Sequence, residues 1–343
     1  MITYRVFKYF RATGHNISNV IIYADDKSEK IIESIIEHRE WGYRIMMIIS
    51  DSPYIRKKFG PSIRIYPDKI NIKNILDIDI IDEVIYCTNA DSEKTRIMIE
   101  TCEEIGVTLR LQSRSSALGK LANAQLTHLE NIPFITIKNT PANSFALAWK
   151  SFSEFWISLG ILFLLSPIML FIAFTIKVTS RGPVIFRQER VGLRGRKFYI
   201  YKFRTMVYNA EKLKSELSDL NESDGPTFKI KHDPRITTVG RLLRKTGLDE
   251  LPQLFNVLKG EMSLIGPRPP LASEVEKYQR WHMRRLSVKP GITCTWQIIP
   301  NRNEVVFDKW MKLDIQYIDN WSIKKDWQLF LKTIKTVIYG TGY

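Results

Sequence analysis

The sequence predicts an α/β protein in two folded parts: a parallel-sheet domain over residues 1–140 and a mostly helical domain over 181–343. A linker and an apolar helix over 141–180 join them. Short apolar runs alternate with helix-patterned stretches in the first part, as expected of strands laid parallel by helical crossovers. One stretch of membrane length follows. Beyond it the chain turns basic: residues 1–150 carry 20 Lys+Arg against 18 Asp+Glu, and residues 151–343 carry 31 against 18. A chain of 343 residues can bury two separate cores.

In the first part the strand candidates are 20–23, 43–49, 83–87, 107–111 and 134–137, with helices over 28–39 and 92–104. A dinucleotide site would need a glycine-rich turn after the first strand, so that backbone could approach a pyrophosphate. The turn here is Tyr23-Ala24-Asp25-Asp26-Lys27-Ser28, with two acids and no glycine. This excludes a dinucleotide fingerprint and favours a scaffold or regulatory role for the domain. It also weighs against a nucleotide-sugar oxidoreductase or dehydratase built on it.

Residues 155–178 are 24 predominantly apolar positions, which as a straight helix would reach ~36 Å. A simple spanning anchor is one reading. Ser166-Pro167 near the middle supports a break instead, because proline removes a backbone bond and clashes with the preceding turn. Cys87, Cys102 and Cys294 form neither a disulfide framework nor a zinc spacing, so a reducing compartment is expected. The N-terminus has no apolar core followed by small residues, and no cleavable signal is expected. The first part then fits the cytoplasmic side, the positive excess favours the same side for the second, and only a turn inside the apolar segment allows both. The basic excess fits anionic membrane lipid or phosphorylated substrates. No nucleic-acid-binding motif accompanies it, so nucleic acid is not expected as a partner.

The most informative segment is 241–256, where Arg241, Arg244 and Lys245 precede Asp249 and Glu250, and Pro252 follows. With Asp249 as N-cap, Pro252 falls in the first helical turn, where its missing N–H has no partner to lose. Leu251, Leu254, Phe255 and Leu258 recur at helical spacing and dock one face. Two acids at a helix start beside cations suit phosphoryl chemistry with a metal, though an N-capped helix with solvated charges fits as well. Gly266-Pro267-Arg268-Pro269-Pro270 projects Arg268 from a stiff backbone. Residues 182–192 read as a strand entering a glycine turn, and 198–206 alternate so that Lys202 and Arg204 share a face. In the tail, Trp310, Met311, Tyr317, Ile318 and Trp321 recur from Phe307 at helical spacing, with Asp314 near the same face. That stripe suits a core or a seat in lipid headgroups, and Asp314 suits a structural ion pair.

These motifs are similar, in order, to those of the bacterial sugar transferase family, the monotopic polyprenyl-phosphate phosphoglycosyl transferases. The matching stretches are 182–192, 201–206, 233–237, 241–256, 266–269 and 289–293. The resemblance implies a Rossmann-like first domain, a re-entrant helix hairpin broken at Ser166 and Pro167, and a catalytic domain seated on one membrane leaflet. It implies Asp249 as nucleophile and Glu250 as its partner, with Mg²⁺ at the Asp249–Glu250 pair. Lys202, Arg204, Arg244, Arg268 and Arg302 would bind phosphates or substrate, and the segment around 293–302 would shape the sugar or uridine pocket. The implied reaction moves a sugar 1-phosphate from a UDP-sugar to polyprenyl phosphate, releasing UMP, at the cytoplasmic face of a bacterial inner membrane. Carboxylates are competent nucleophiles once surrounding anions are neutralised, which makes a covalent phosphosugar–aspartyl step chemically reasonable. A homo-oligomer stays open. A catalytically silent membrane scaffold is the alternative, and the presence of the whole charged set argues against it.

Overall fold

The computed structural model describes residues 17–70, 72–78, 80–88, 92–112, 124–129, 132–138, 141, 144–210, 233–299 and 305–338, with isolated positions at 213, 217, 225, 226 and 230. Its contacts divide the chain into two units, Met1–Ala142 and Asn143–Tyr343.

The first unit is a mixed α/β layer. Its elements are β1 (Ser18–Tyr23), α1 (Glu29–Glu37), β2 (Tyr43–Ile49), α2 (Pro53–Phe59), β3 (Ile65–Tyr66), α3 (Ile72–Ile78), β4 (Glu83–Tyr86), α4 (Ser92–Ile105), β5 (Thr108–Gln112), β6 (Ala124–Leu129) and β7 (Ile132–Ile137). The sheet order is β3-β2-β1-β4-β5-β7-β6. The first five strands are parallel, and β7 joins β5 and β6 antiparallel. Parallel strands covered on both faces need continuous apolar runs, and Val20, Ile21, Ile22, Ile48 and Ile85 are fully buried. The antiparallel edge departs from the all-parallel sheet expected of the sequence. Only two residues separate β6 from β7, and a parallel crossover needs a dozen or more. The acids after β1 are occupied locally: Asp25 accepts from the Lys27 N–H at 3.1 Å and the Ser28 hydroxyl at 2.7 Å, and Asp26 accepts from the Ser52 hydroxyl.

The second unit opens with α5 (Ser144–Thr179), a helix of 36 residues whose mean hydropathy reaches 2.5. It is longer than the 155–178 stretch, because residues 144–154, a mixed polar and aromatic run, also take helical backbone. Helical structure runs through Ser166 and Pro167, where the sequence placed a break. Pro167 leaves the Phe163 carbonyl without its usual N–H donor, and the Ser166 hydroxyl donates to that oxygen at 2.8 Å. One face of α5 is buried through Leu162, Ile172 and Ile176, while Phe163, Leu164, Leu170, Phe171 and Phe174 are 67–84% exposed. Leu162 packs with Leu254 and Val257, and Ile172 and Ile176 pack with Phe203 and Leu243.

The rest of the unit comprises β8 (Ile185–Val191) and β9 (Lys197–Phe203) as an antiparallel hairpin, then α6 (Thr238–Thr246) and α7 (Leu254–Leu258). The parallel pair β10 (Ser263–Ile265) and β11 (Gly291–Thr293) follows, and α8 (Phe307–Asp319) and α9 (Ile323–Ile338) close it. The aromatic stripe expected at 307–321 is core: Phe307, Met311, Tyr317 and Ile318 of α8 are all buried. The outward apolar residues of this tail belong to α9, where Trp327, Leu331 and Ile334 are exposed.

Candidate active site

The dyad sits where two helices meet. Gly247, at φ 69°, ends α6 in the left-handed conformation and starts a 3₁₀ segment, Leu248–Gln253, which runs on into α7. Asp249 is therefore the second residue inside this segment. The expected N-cap position belongs to Gly247, because a left-handed residue can both close one helix and open the next without a capping side chain. Pro252 stays within the 3₁₀ turn, as its missing N–H allows.

Strand β9 brings Lys202 to the dyad, with Nζ 2.5 Å from Glu250 Oε1. The register is fixed by Asn256, which is fully buried. Its Oδ1 accepts from the Tyr201 N–H at 3.2 Å, and its Nδ2 donates to the Tyr199 carbonyl and to Glu261, both at 2.7 Å. Arg244, in the last turn of α6, donates from Nε to the Thr205 hydroxyl at 3.0 Å. Close approach of α6 to this strand end requires Gly240, where a Cβ would lie 2.0 Å from the Thr205 carbonyl oxygen.

Asp249 is 8% exposed. Burial pushes its carboxyl up to about 6, a rise that Lys202 and Arg244 oppose and Glu250 increases. Burial acts upward on Glu250 too, but the charge and hydrogen bond of Lys202, with Arg268 beyond, hold it below the usual glutamate range. The two neighbouring acids are thus driven apart, one poised near neutrality and one firmly anionic.

Arg268 is presented as its flanking prolines imply. Gly266 and Gly291 touch backbone to backbone, since a Cβ on Gly291 would lie 2.1 Å from the Gly266 nitrogen. The Gly291 N–H donates to the Pro267 carbonyl at 2.9 Å, so β11 holds the start of the loop. The Arg268 guanidinium lies 3.5 Å from the buried carboxylate of Glu274. From α5, Lys150 donates to the carbonyl of Ile265, the last residue of β10, at 3.0 Å, and pairs with Asp326 of α9 at 2.5 Å.

One expected residue is placed elsewhere. Arg204 lies just past the end of β9, so strand alternation no longer puts it on the face of Lys202. Its guanidinium donates to the carbonyls of Ser180 and Pro183 and to the Ser180 hydroxyl, closing the end of α5. Arg302 lies outside the described residues. Asp314 is 1% exposed and pairs with Arg285 at 2.7 Å, a structural pair; burial pushes its carboxyl up to about 6 against the pull of Arg285. Asn256, Glu274 and Arg285 were given no role in the sequence reading. Asn256 carried no signal: it falls about 200° round the helix from Leu254, off the expected docking face, yet it is buried while Phe255 of that face is 48% exposed, and its partners lie in a distant strand.

Among the described residues no group of three or more His, Cys, Asp or Glu gathers to hold a metal. The adjacent carboxylates still fit Mg²⁺, which takes one or two protein carboxylates and completes its shell with phosphate and water oxygens.

The sequence profile of the bacterial sugar transferase family matches residues 145–340, and the chain belongs to that family. It is 37% identical over 289 residues to the galactosyl transferase CpsE of Streptococcus agalactiae, covering 81% of this chain and 64% of that protein. It is 41% identical over 219 residues to an undecaprenyl-phosphate galactose phosphotransferase of Salmonella typhimurium, covering 62% and 45%. It is 37% identical over 231 residues to a UDP-glucose:undecaprenyl-phosphate glucose-1-phosphate transferase of Klebsiella pneumoniae, covering 65% and 47%. The chain thus spans less than two thirds of the length of these three relatives.

Proposed function

We propose that this protein transfers a sugar 1-phosphate from a UDP-sugar to undecaprenyl or a related polyprenyl phosphate, as an early membrane step of exopolysaccharide or glycoconjugate synthesis. The observation that carries the reading is the buried Asp249 beside the Lys202–Glu250 pair, with Arg244 and Arg268 close enough to act on its charge and on that of Glu250. The relatives' names supply the acceptor and the donor class.

The carboxylate of Asp249 attacks the phosphorus next to the sugar. A P–O bond forms to Asp249 while the bond to the bridging oxygen breaks, and its electron pair leaves on UMP. An oxygen of polyprenyl phosphate then attacks the same phosphorus, the bond to Asp249 breaks, and the carboxylate is regenerated with the sugar on a polyprenyl diphosphate. Lys202, Arg244 and Arg268 stabilise charge on the transferring phosphoryl group without having to reorganise. Glu250, with Asp249 beside it, would hold Mg²⁺, which would neutralise donor phosphate charge.

Seating follows the same reading. Residues of both halves of α5 pack against the rest of the second unit, through Lys150 and Glu154 at one end and Ile172 and Ile176 at the other. That supports a helix dipping into one leaflet, bent at Ser166-Pro167, over a straight span. The outward faces of α5 and α9 would meet lipid, at the cytoplasmic face of a bacterial inner membrane. The first unit would be a Rossmann-like scaffold without nucleotide. UMP release by the full chain in lipid nanodiscs, with polyprenyl phosphate and each of several UDP-sugars, tests the function. Turnover of at least one donor is expected, and silence with all of them would favour the scaffold alternative.

A further inference from the structure

Arg190 is a buried charge that the chemistry above leaves unused. It lies on β8, is 9% exposed, and belongs to the second unit like the dyad. Its Nη1 donates to the Pro269 carbonyl at 3.0 Å and its Nη2 to Gln188 Oε1 at 2.7 Å, while its Nε is buried without a partner. The neighbouring Val191 N–H donates to the Pro270 carbonyl at 2.9 Å. On the other side, Arg285 Nη2 donates to the carbonyl of Arg268 itself at 2.9 Å. Three successive carbonyls, at 268, 269 and 270, are therefore each held by a separate donor. Pro269 and Pro270 contribute no N–H of their own, so these outside donors decide how the loop is fixed.

A neutral donor would suffice to bind the Pro269 carbonyl, and burying a guanidinium for that purpose alone is costly. Arg190 is also close enough to Arg268 for that second cation, after burial itself, to help lower its titration to about 9, with Glu274 and Glu250 opposing. Arg190 thus lies within reach of the charge of Arg268, whose guanidinium pairs with the buried carboxylate of Glu274.

We propose that Arg190 is a positioning residue of the donor-diphosphate site, clamping the Pro269 carbonyl so that Arg268 meets the phosphates in one orientation. The inference rests on the proposed function. Because it concerns binding, it is read without turnover: calorimetric titration of Mg²⁺ and UDP into the full chain in nanodiscs, for wild type, Arg190→Gln, Arg268→Gln and the double variant. Acting through Arg268, Arg190→Gln weakens UDP about tenfold, and the double variant binds within about twofold of Arg268→Gln alone. Additive losses in the double variant overturn the proposal. So does a folded Arg190→Gln with wild-type UDP affinity and merely a lower melting temperature. Should Arg190→Gln not fold, Arg190→Lys keeps the buried charge but not the two-pronged grip, and the same cycle applies to it. If wild type binds no UDP, the proposed function falls; if it binds and the cycle is additive, this inference alone falls.

Discussion

Each unit of the molecule places two neighbouring acids at the start of a 3₁₀ turn, Asp25-Asp26 after β1 and Asp249-Glu250 after α6. The first pair is spent on local structure. Asp25 caps its own turn and Asp26 receives the Ser52 hydroxyl in an exposed setting. The second pair is set into a buried corner, where β9 delivers Lys202, α6 delivers Arg244, and Asp249 rises to about 6. Adjacent acids become a reactive site when tertiary packing removes their water and gathers cations around them. Sequence adjacency alone does not separate the two cases.

The largest expected effect breaks the comparison outright. Asp249→Asn should lower UMP release by about a thousandfold or more, as loss of a nucleophile does. Asp26→Asn should change it less than about twofold, since it removes one exposed hydrogen bond. Equal losses in the two variants would mean that the second pair is not special. A comparable contrast in stability lies in the buried pairs. Asp314→Asn leaves Arg285 charged and without its carboxylate inside the second unit, at a cost of about 3–5 kcal/mol, so the melting transition of that unit should fall or vanish. Glu83→Gln strips the partner of Arg110 in the sheet domain, and should destabilise that domain while UMP release persists. Loss of release in Glu83→Gln would tie the two units together energetically.

A smaller effect sharpens the electrostatic half of the comparison. The raised carboxyl of Asp249 means that it takes up its proton near pH 6, where an ordinary aspartate is still ionised. On the proposed mechanism the attacking carboxylate is therefore lost as pH falls through about 6, and kcat/KM for UMP release should drop about tenfold per unit below that point. Lys202 opposes the rise, so Lys202→Met should move the acid limb upward as well as slow the reaction. A limb near pH 4 in wild type would show that the buried corner does not perturb Asp249.

How far the sequence could be read follows from the same physics. Strand β2 was legible at both ends, because a buried parallel strand must be a continuous apolar run. The two-residue strand β3 and the short helices α2 and α3 carry too few residues for periodicity to register. Local patterns single out Asp249 and Glu250 as acids among cations, Arg268 as an arginine between prolines and Lys202 by strand alternation, while the Lys202–Glu250 contact is visible only in the fold. The Asp249 cap was misplaced because Gly247 serves two helices at once, which sequence spacing does not encode. Arg204 was read by alternation, and alternation stopped one residue earlier with the strand. Arg190, Arg285 and Asn256 act across long sequence separations, where no local pattern reports them.

The smallest effect concerns the middle of α5. Pro167 cannot donate to the Phe163 carbonyl, and the Ser166 hydroxyl takes over at 2.8 Å on the exposed, apolar side of the helix. Facing lipid, an unsatisfied carbonyl has no water to turn to. Ser166→Ala should therefore cost about 1 kcal/mol, seen as a lower midpoint for thermal loss of UMP release in nanodiscs. In a Pro167→Ala background the residue-167 N–H is restored, so the same Ser166→Ala change should cost close to nothing. Under the proposed seating, Pro167→Ala should also let part of the population span the bilayer. All three cysteines are buried, so a Lys27→Cys variant supplies the exposed thiol for a membrane-impermeant reagent on intact spheroplasts. With wild-type α5 that thiol should stay unlabelled, and with Pro167→Ala a fraction should react. Equal costs of Ser166→Ala in both backgrounds would show that the hydroxyl does not stand in for the missing N–H. Efficient labelling with Pro167 in place would rule out a helix that returns to the leaflet it entered.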